Sequence, residues 1–195
     1  MVCHPAMAKD DGWSSSVTSE KSVQLREATA ADTESIRQVH VDAFGDEGAA
    51  VANLAIALLN DETAKPLFCL VAEEEDRVVG SIIFSRAGIE GHDDLAVYIL
   101  APLAVDPGFQ HRGVGRALIE HGLDILRRQG ASLVFVLGDP AYYARVGFTH
   151  QHHIDPPYEL AVPEAWMGMG LRDCPLESIS GSLACACSLD AREHW

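Results

Sequence analysis

Positive charge is scarce in this 195-residue sequence, and long hydrophobic runs are missing from it. The 14 lysines and arginines stand against 29 aspartates and glutamates, which gives a formal net charge of −15. An acidic surface repels phosphate backbones, so we expect no nucleic acid partner. The same surface would attract cations such as amines, although solubility alone explains it more simply. No stretch is long and apolar enough to span a bilayer, so we expect no association with a membrane.

Cysteine is also sparse, and its five positions are odd in number and irregularly spaced, which is not the pattern of a disulfide framework. Cys185 and Cys187 would share one face of a strand, but no further ligand lies near them in sequence. The run of His150, His152 and His153 is more typical of a solvated loop than of a metal site. We therefore expect no bound metal.

The beginning of the sequence lacks the apolar core of a secretory signal, which favours a cytoplasmic location. Residues 1–21 are polar and without periodicity, and they are predicted to be a disordered leader. Hydrophobic residues make up 48% of the sequence, which is enough for a core, so residues 22–195 are predicted to form a single domain.

Hydrophobic periodicity predicts helices and strands in alternation. Thr29 and Asp32 form a capping-box pattern before a helix that reaches about residue 44, and a second amphipathic helix follows over 51–58. Gly45 and Gly48 are expected to interrupt the two helices. A short helix is predicted at 142–146 and a loop at 88–94. The predicted strands cover residues 23–27, 67–72, 78–85, 95–105, 133–137, 166–171 and 182–188.

The segment 95–137 gives the clearest prediction of topology. Proline cannot donate to a sheet ladder, so the first strand should be bent, bulged or at an edge where Pro102 interrupts it. The helix at 114–129 has one apolar and one polar stripe, and the apolar run 133–137 is typical of a strand buried on both faces. Strand, helix and strand in this order imply a right-handed crossover between parallel strands, and therefore an α/β fold with a mixed sheet.

The turn before the third helix carries the chemistry. Residues 110–113 include none of the side chains that normally satisfy the first N–H groups of a helix. Gly113 and Gly115 leave the main chain bare, since any Cβ would intrude on a ligand. The N–H groups and the helix dipole therefore favour an anion, above all a pyrophosphate, although an ordinary glycine turn is the alternative. Three basic side chains would add charge there: His111, Arg112 and Arg116.

Three motifs follow one another around this turn. They are Leu103-x-Val105-x-Pro107, Gln110-x-x-Gly113-x-Gly115 and Tyr143-x-x-x-Gly147-Phe148. In this order they resemble the acetyl-CoA signature of the GNAT superfamily of N-acetyltransferases. The string at 138–148 is similar to one bacterial branch of that superfamily, and the resemblance extends over roughly residues 23–150.

The resemblance implies a mixed central sheet, splayed in the middle and flanked by helices. It implies acetyl-CoA as the co-substrate, with the pantetheine in the splay beside the main chain of Leu103 and Val105. Main-chain N–H groups there can also stabilise an oxyanion. The cofactor-binding residues of the turn would be Gln110, His111, Arg112, Gly113, Val114, Gly115 and Arg116.

The implied reaction is direct transfer of an acetyl group to a primary amine. Tyr143 falls where many members have a general acid, and a phenol, protonated at neutral pH, can supply the proton that the CoA thiolate needs. Packing, or a hydrogen bond to the sulfur, is the alternative for Tyr143, and Tyr142 is expected to pack in the core. The general base is left open between an ordered water chain and several side chains: Glu47, His92, Asp93, Asp94 and Glu159.

The acceptor is also left open, as a small-molecule amine or a peptide amine. Trp166 and Met167 either line the acceptor pocket or, more simply, belong to the core. Transfer of a longer acyl group and O-acylation stay as alternatives, because fold does not fix function. A non-catalytic acyl-CoA-binding or regulatory module is the alternative function, against which Tyr143 argues. The resemblance also allows a homodimer.

Overall fold

The computed structural model describes residues 23–172 and 174–195, so the leader predicted at 1–21 lies outside the described residues. Helices and strands alternate along the chain much as the periodicity predicts. In chain order the elements are β1 (Gln24–Glu27), α1 (Thr33–Phe44), α2 (Gly48–Asn60), β2 (Phe68–Glu74), β3 (Arg77–Ile89), β4 (Val97–Val105), α3 (Val114–Arg128), β5 (Leu133–Leu137), α4 (Pro140–Tyr143), β6 (His153–Asp155), β7 (Trp166–Gly170) and β8 (Ser180–Ala184).

These strands form a mixed sheet in the order β1-β2-β3-β4-β5-β7. Neighbouring strands on this path are antiparallel except β4 and β5, which are parallel and joined through α3. This confirms the predicted crossover. Two short strands extend the sheet to one side: β8 pairs with the end of β3, and β6 pairs with β8.

Helices cover both faces of the sheet, because every central strand presents apolar side chains to each side. Leu118 and Leu126 of α3 pack with Ile82 and Phe84 on one face. On the other face, α1 and α2 contribute to a second cluster that includes residues of β2, β3, β4 and β5. The fully buried strand β5 lies between these two layers, as its unbroken apolar sequence predicts.

The sheet is splayed between its two parallel strands. Within the described residues, β4 and β5 pair only from Val97 with Leu133 to Ile99 with Phe135. Beyond this point β4 continues along β3 and β5 continues along β7. A bulge next to Pro102 shifts the register between β3 and β4, so the predicted break in the strand is confirmed as a bulge.

Several boundaries differ from the sequence prediction. Gly48 begins α2 rather than interrupting it, and β3 continues through two residues of the predicted loop. The last strand ends at Ala184, so Cys185 and Cys187 lie beyond it. The short β6 was not predicted, because three residues are too few to display an alternating pattern. All helices of the described chain are too short or too polar to cross a lipid bilayer.

One histidine is fully buried between α1 and the sheet. The Nδ1 atom of His40 lies 2.8 Å from the carbonyl oxygen of Ile36, and its Nε2 has no partner among the described residues. Burial lowers the pKa of His40 to about 4, although the carbonyl opposes this shift. The imidazole is therefore neutral in the folded protein at neutral pH.

This buried histidine should destabilise the fold as the pH falls. In the unfolded chain His40 takes up a proton near its ordinary pKa of about 6.5, whereas in the folded protein it does so only near pH 4. The free energy of unfolding therefore decreases as the pH falls between these values, by about 2 kcal/mol from pH 7 to pH 5. Urea unfolding at the two pH values measures it. His40→Phe should flatten this dependence and the exposed control His150→Gln should preserve it; an unchanged slope in His40→Phe would contradict the assignment.

Candidate active site

A cleft of about 620 Å³ opens where β4 ends and α3 begins. It lies on the side of β4 from which β5 has diverged, and α1 and the α4 region close its other walls. Its lining includes nine of the ten residues that the motifs predict for cofactor binding and catalysis; Arg112 is the exception. The lining residues are Ala43, Phe44, Glu47, Leu103, Ala104, Val105, Phe109, Gln110, His111, Gly113, Val114, Gly115, Arg116, Tyr142, Tyr143, Arg145 and Val146.

Hydrogen bonds fix the conformation of the turn that precedes α3. The carboxylate of Asp106 accepts the N–H of Gly108 at 2.8 Å and pairs with the guanidinium of Arg77. The side-chain amide of Gln110 donates to the carbonyl of Val105 at 3.1 Å. The glutamine of the motif therefore ties the turn back to the end of β4 rather than capping the helix.

The N-cap residue of α3 provides no side-chain cap. It is Gly113, in the left-handed conformation with φ of +83°, and a glycine has no side chain to accept from the first N–H groups of the helix. A Cβ built on Gly113 would meet no atom of the described chain within 4 Å. Backbone conformation and the open space of the cleft, rather than a neighbouring atom, are therefore what favour glycine at this position.

Gly115 has a different neighbour. A Cβ at this position would come within 2.6 Å of the Tyr142 hydroxyl. Tyr142 is half-buried and packs against the core, as expected, and it also borders the cleft. Its hydroxyl reaches the first turn of α3 because α4 lies directly across the cleft from it.

Basic side chains gather around the cleft in a chain that is otherwise strongly acidic. His111 and Arg116 line it, and Arg116 also contacts Glu120 at 2.7 Å. Arg112 instead lies over the Phe109 ring at 5.0 Å and is not among the lining residues. Arg145 lines the cleft from the opposite wall. The sequence prediction missed Arg145, although a cation inside the third motif was a usable signal.

Tyr143 lies deep at the inner end of the cleft. Its side chain is 3% exposed, and its ring packs edge-on against Tyr142 and Phe148, with ring centroids 5.1 and 5.7 Å apart. A Cβ at Gly138 would overlap the Tyr143 ring. The Tyr143 ring can therefore lie here only because Gly138 has no side chain.

A smaller chamber of about 70 Å³ adjoins the cleft. Three residues border both spaces: Phe44, Leu103 and Tyr143. The rest of the chamber wall is apolar apart from one histidine, His194. The other lining residues are Val51, Leu54, Ile99, Leu100, Ala101, Pro102, Leu137, Trp166, Leu189 and Trp195.

The structure separates the candidate bases from one another. Glu47 is exposed and borders the larger cleft. His92, Asp93 and Asp94 precede β4, at the end opposite to the cleft, and His92 contacts the carbonyl of Ser180 at 3.2 Å. Glu159 lines neither space. Sequence reasoning named all of these and missed His194.

The other residues singled out by sequence lie in the core or outside the site. Trp166 and Met167 are both buried in β7, and Trp166 also borders the chamber. His152 is half-buried against Phe135 and Trp166, where burial lowers its pKa. The described cysteines are free thiols: Cys69, Cys174, Cys185 and Cys187. In the described parts of the chain, no three His, Cys, Asp or Glu side chains are grouped to hold a metal ion.

Comparison with known proteins agrees with this geometry. The sequence profile of the acetyltransferase (GNAT) domain matches residues 65–150. The uncharacterized N-acetyltransferase YjhQ of Escherichia coli K12 is 40% identical over 163 residues, which are 80% of this chain and 87% of the relative. The chain therefore belongs to the GNAT superfamily, and it is an N-acetyltransferase.

Solved structures show the same fold. Escherichia coli YhbS in complex with CoA superposes with a TM-score of 0.80 at 27% identity, covering 91% of this chain and 97% of that one. A GNAT family acetyltransferase from Brucella melitensis in complex with acetyl-CoA gives a TM-score of 0.69 at 29% identity, with 88% and 100% covered. The splayed mixed sheet expected from the sequence is thus the arrangement seen in these neighbours.

Proposed function

We propose that this N-acetyltransferase moves the acetyl group of acetyl-CoA directly to a primary amine, without an acyl-enzyme. The diphosphate of the cofactor binds the uncapped start of α3 at residues 110–116, where N–H groups and the helix dipole favour an anion. His111, Arg116 and Arg145 add positive charge around the same cleft. The pantetheine arm follows the edge of β4 at Leu103 and Val105.

The observation that carries the proposal is the shared border of the two spaces. Tyr143 borders both the large cleft and the small chamber, together with Leu103 and Phe44. A thioester that enters from the cleft and an amine that enters from the chamber would therefore meet beside the Tyr143 side chain. Structural neighbours bind CoA or acetyl-CoA, which supports acetyl-CoA as the co-substrate, and we assign it to the larger space because that space contains the uncapped start of α3.

The transfer itself needs one bond made and one broken. The neutral amine attacks the thioester carbonyl carbon, the C–N bond forms, and the C–S bond breaks as the tetrahedral intermediate collapses. The nitrogen loses a proton to a base, and the departing thiolate takes a proton from the Tyr143 hydroxyl. Return of the amine proton to the tyrosinate restores the enzyme, and the products are an amide and free CoA.

Acetyl-CoA-dependent release of free thiol tests the proposal most directly. The purified protein is assayed against amino acids, peptides, polyamines, aminoglycosides and simple arylalkylamines, with product masses measured to locate the acetyl group. The proposal expects an N-acetylated amine whose formation matches the thiol released. An acetylated hydroxyl product, or acetyl transfer through an acylated side chain, would contradict it.

Gly138→Ala should disable the enzyme through the position of Tyr143. The added methyl group overlaps the Tyr143 ring, and displacing a buried ring in a packed core costs about 1–3 kcal/mol. We expect a clear fall in kcat with a lower melting temperature. Gly88→Ala is the matched control, since a Cβ at Gly88 meets nothing within 4 Å; full activity in Gly138→Ala would show that the ring position is not critical.

A further inference from the structure

The small chamber is closed by a segment distant in sequence from the acetyl-CoA motifs. Residues 185–195 supply Leu189, His194 and Trp195 to its wall. The rest of the wall comes from α1, α2, β4, the end of β5, Tyr143 and Trp166.

Specific bonds hold this segment against the body of the protein. The carboxylate of Asp61 accepts both the N–H and the hydroxyl of Ser188, at 2.8 and 2.7 Å. The hydroxyl of Thr63 accepts the N–H of Cys187 at 2.8 Å. A hydrogen bond from the Thr63 hydroxyl, followed by those from Ser188, lowers the pKa of Asp61, so the carboxylate stays charged and keeps accepting them throughout the neutral range.

Aromatic packing then fixes the residues beside the chamber. The ring of Trp195 packs against Trp166 with centroids 5.5 Å apart, and its indole N–H donates to the carbonyl of Leu189 at 2.8 Å. The indole N–H of Trp166 donates to the carbonyl of Ile154. Both indoles therefore present only their apolar surfaces to the chamber.

We infer, building on the proposed function, that His194 accepts the proton of the attacking amine and that the chamber selects a single amine on an apolar stem. His194 and Tyr143 are the only titratable side chains among the residues that line the chamber. Histidine accepts a proton in the physiological range, which suits it to act as a base. After the transfer, the proton passes from the imidazolium through water to the tyrosinate, so both residues return to their starting protonation states.

The chamber wall also determines the class of acceptor. None of its lining side chains is a carboxylate, so a second ammonium group would lose its hydration without gaining a side-chain counter-ion. A volume of about 70 Å³ suits an amine on a slim carbon stem. Polyamines and aminoglycosides are therefore poor acceptors, even though the acidic surface attracts them.

The other charged groups around His194 lie in its own turn, pair with other residues or border the larger cleft. Arg192 and Glu193 precede it in the same short turn, Asp190 accepts the hydroxyl of Tyr158 at 3.0 Å, and Glu47 and Arg145 border the larger cleft. Glu47 is the strongest competing base because it is a carboxylate on the neighbouring wall. The experiment therefore includes a variant of each candidate.

The kinetic test uses phenethylamine as the apolar acceptor and spermidine as the polycationic one. His194→Gln should lower kcat/KM for phenethylamine at pH 7 by about 10²-fold, leave the Kd for CoA unchanged, and shift the rise of the pH profile to higher pH. Glu47→Gln should keep the wild-type pH profile, as should His150→Gln, a matched change at an exposed histidine. The inference is overturned if His194→Gln keeps the wild-type pH profile of kcat/KM, or if Glu47→Gln alone changes that profile.

A labelling test decides the same inference without turnover. Diethyl pyrocarbonate modifies accessible imidazoles, and mass spectrometry gives the rate at each histidine. With CoA bound, phenethylamine should slow modification of His194 and not of His150, whereas spermidine should slow neither. Equal rates at His194 with and without phenethylamine overturn the inference, even if acetyl transfer itself is established. If the protein acetylates no amine, the proposed function fails, while protection of His194 still reports on the chamber.

Discussion

Replacing Tyr143 with phenylalanine should lower kcat by about 10²-fold, because the leaving thiolate loses its proton donor. The ring keeps its edge-on contacts with Tyr142 and Phe148, so the fold should keep its melting temperature. The Kd for CoA should change little, since the diphosphate site that we propose lies at the start of α3 and not at Tyr143. Steady-state thiol release gives kcat, and calorimetry gives the affinity.

A matched control separates loss of the proton donor from loss of any buried hydroxyl. Tyr98 is also buried, in β4, and borders neither the cleft nor the chamber. Tyr98→Phe should therefore retain full turnover. If Tyr143→Phe and Tyr98→Phe behave alike, Tyr143 has only a packing role. If the rate falls through KM alone, the hydroxyl binds substrate and does not donate the proton.

Replacing Gly113 with valine should remove most of the affinity for CoA and leave the protein folded. The position has φ of +83° and open space around it, so the valine must either strain the backbone or rotate the N–H groups at the start of α3. Hydrogen bonds to a charged group contribute about 1.5–3 kcal/mol each, so losing one or two weakens binding by about 10²-fold. Calorimetry with CoA measures this change.

Gly91 provides the control for backbone strain. It has φ of +81° and no atom within 4 Å of an added Cβ, much like Gly113, but it lies before β4, at the end away from the cleft. Gly91→Val should lower the melting temperature about as much as Gly113→Val does and leave CoA binding intact. Unchanged affinity in Gly113→Val would contradict a diphosphate site at the start of α3.

Much of the central fold was predictable because its signals are local. The amphipathic stripe of α3 and the apolar run of β5 each depend on the periodicity of neighbouring residues, and both elements are where the pattern predicts them. Pro102 predicts the break in β4, because proline has no N–H group to donate to the hydrogen-bond ladder of the sheet. The sequence does not predict the short β6, and it predicts β8 with shifted bounds, because so few residues carry no clear period and pairing with neighbouring strands decides their structure.

The candidate site was likewise predictable only where its residues lie close together in the sequence. Residues 103–105, 109–111 and 113–116 border one cleft with Tyr143, as motif spacing suggests, because each stretch sits at the end of a strand or the start of a helix in one α/β unit. Glu47 and Arg145 reach the cleft from other elements; Arg145 lies inside the third motif, whereas no pattern in the neighbours of Glu47 marks it. Tyr142 packs against the core as its place next to Tyr143 on a helix predicts, but it also reaches the cleft, which the sequence alone does not indicate.

The sequence by itself determined the superfamily, the parallel crossover and the bare turn at 110–116, since all three follow from residues close together in the chain. Only the tertiary structure decided which distant side chains meet Tyr143. The chamber beside it depends on α1, α2 and the segment 185–195 packing against the splay, and that packing follows from burial of their apolar faces. His194 therefore becomes a candidate base only once the segment that carries it is folded onto the sheet.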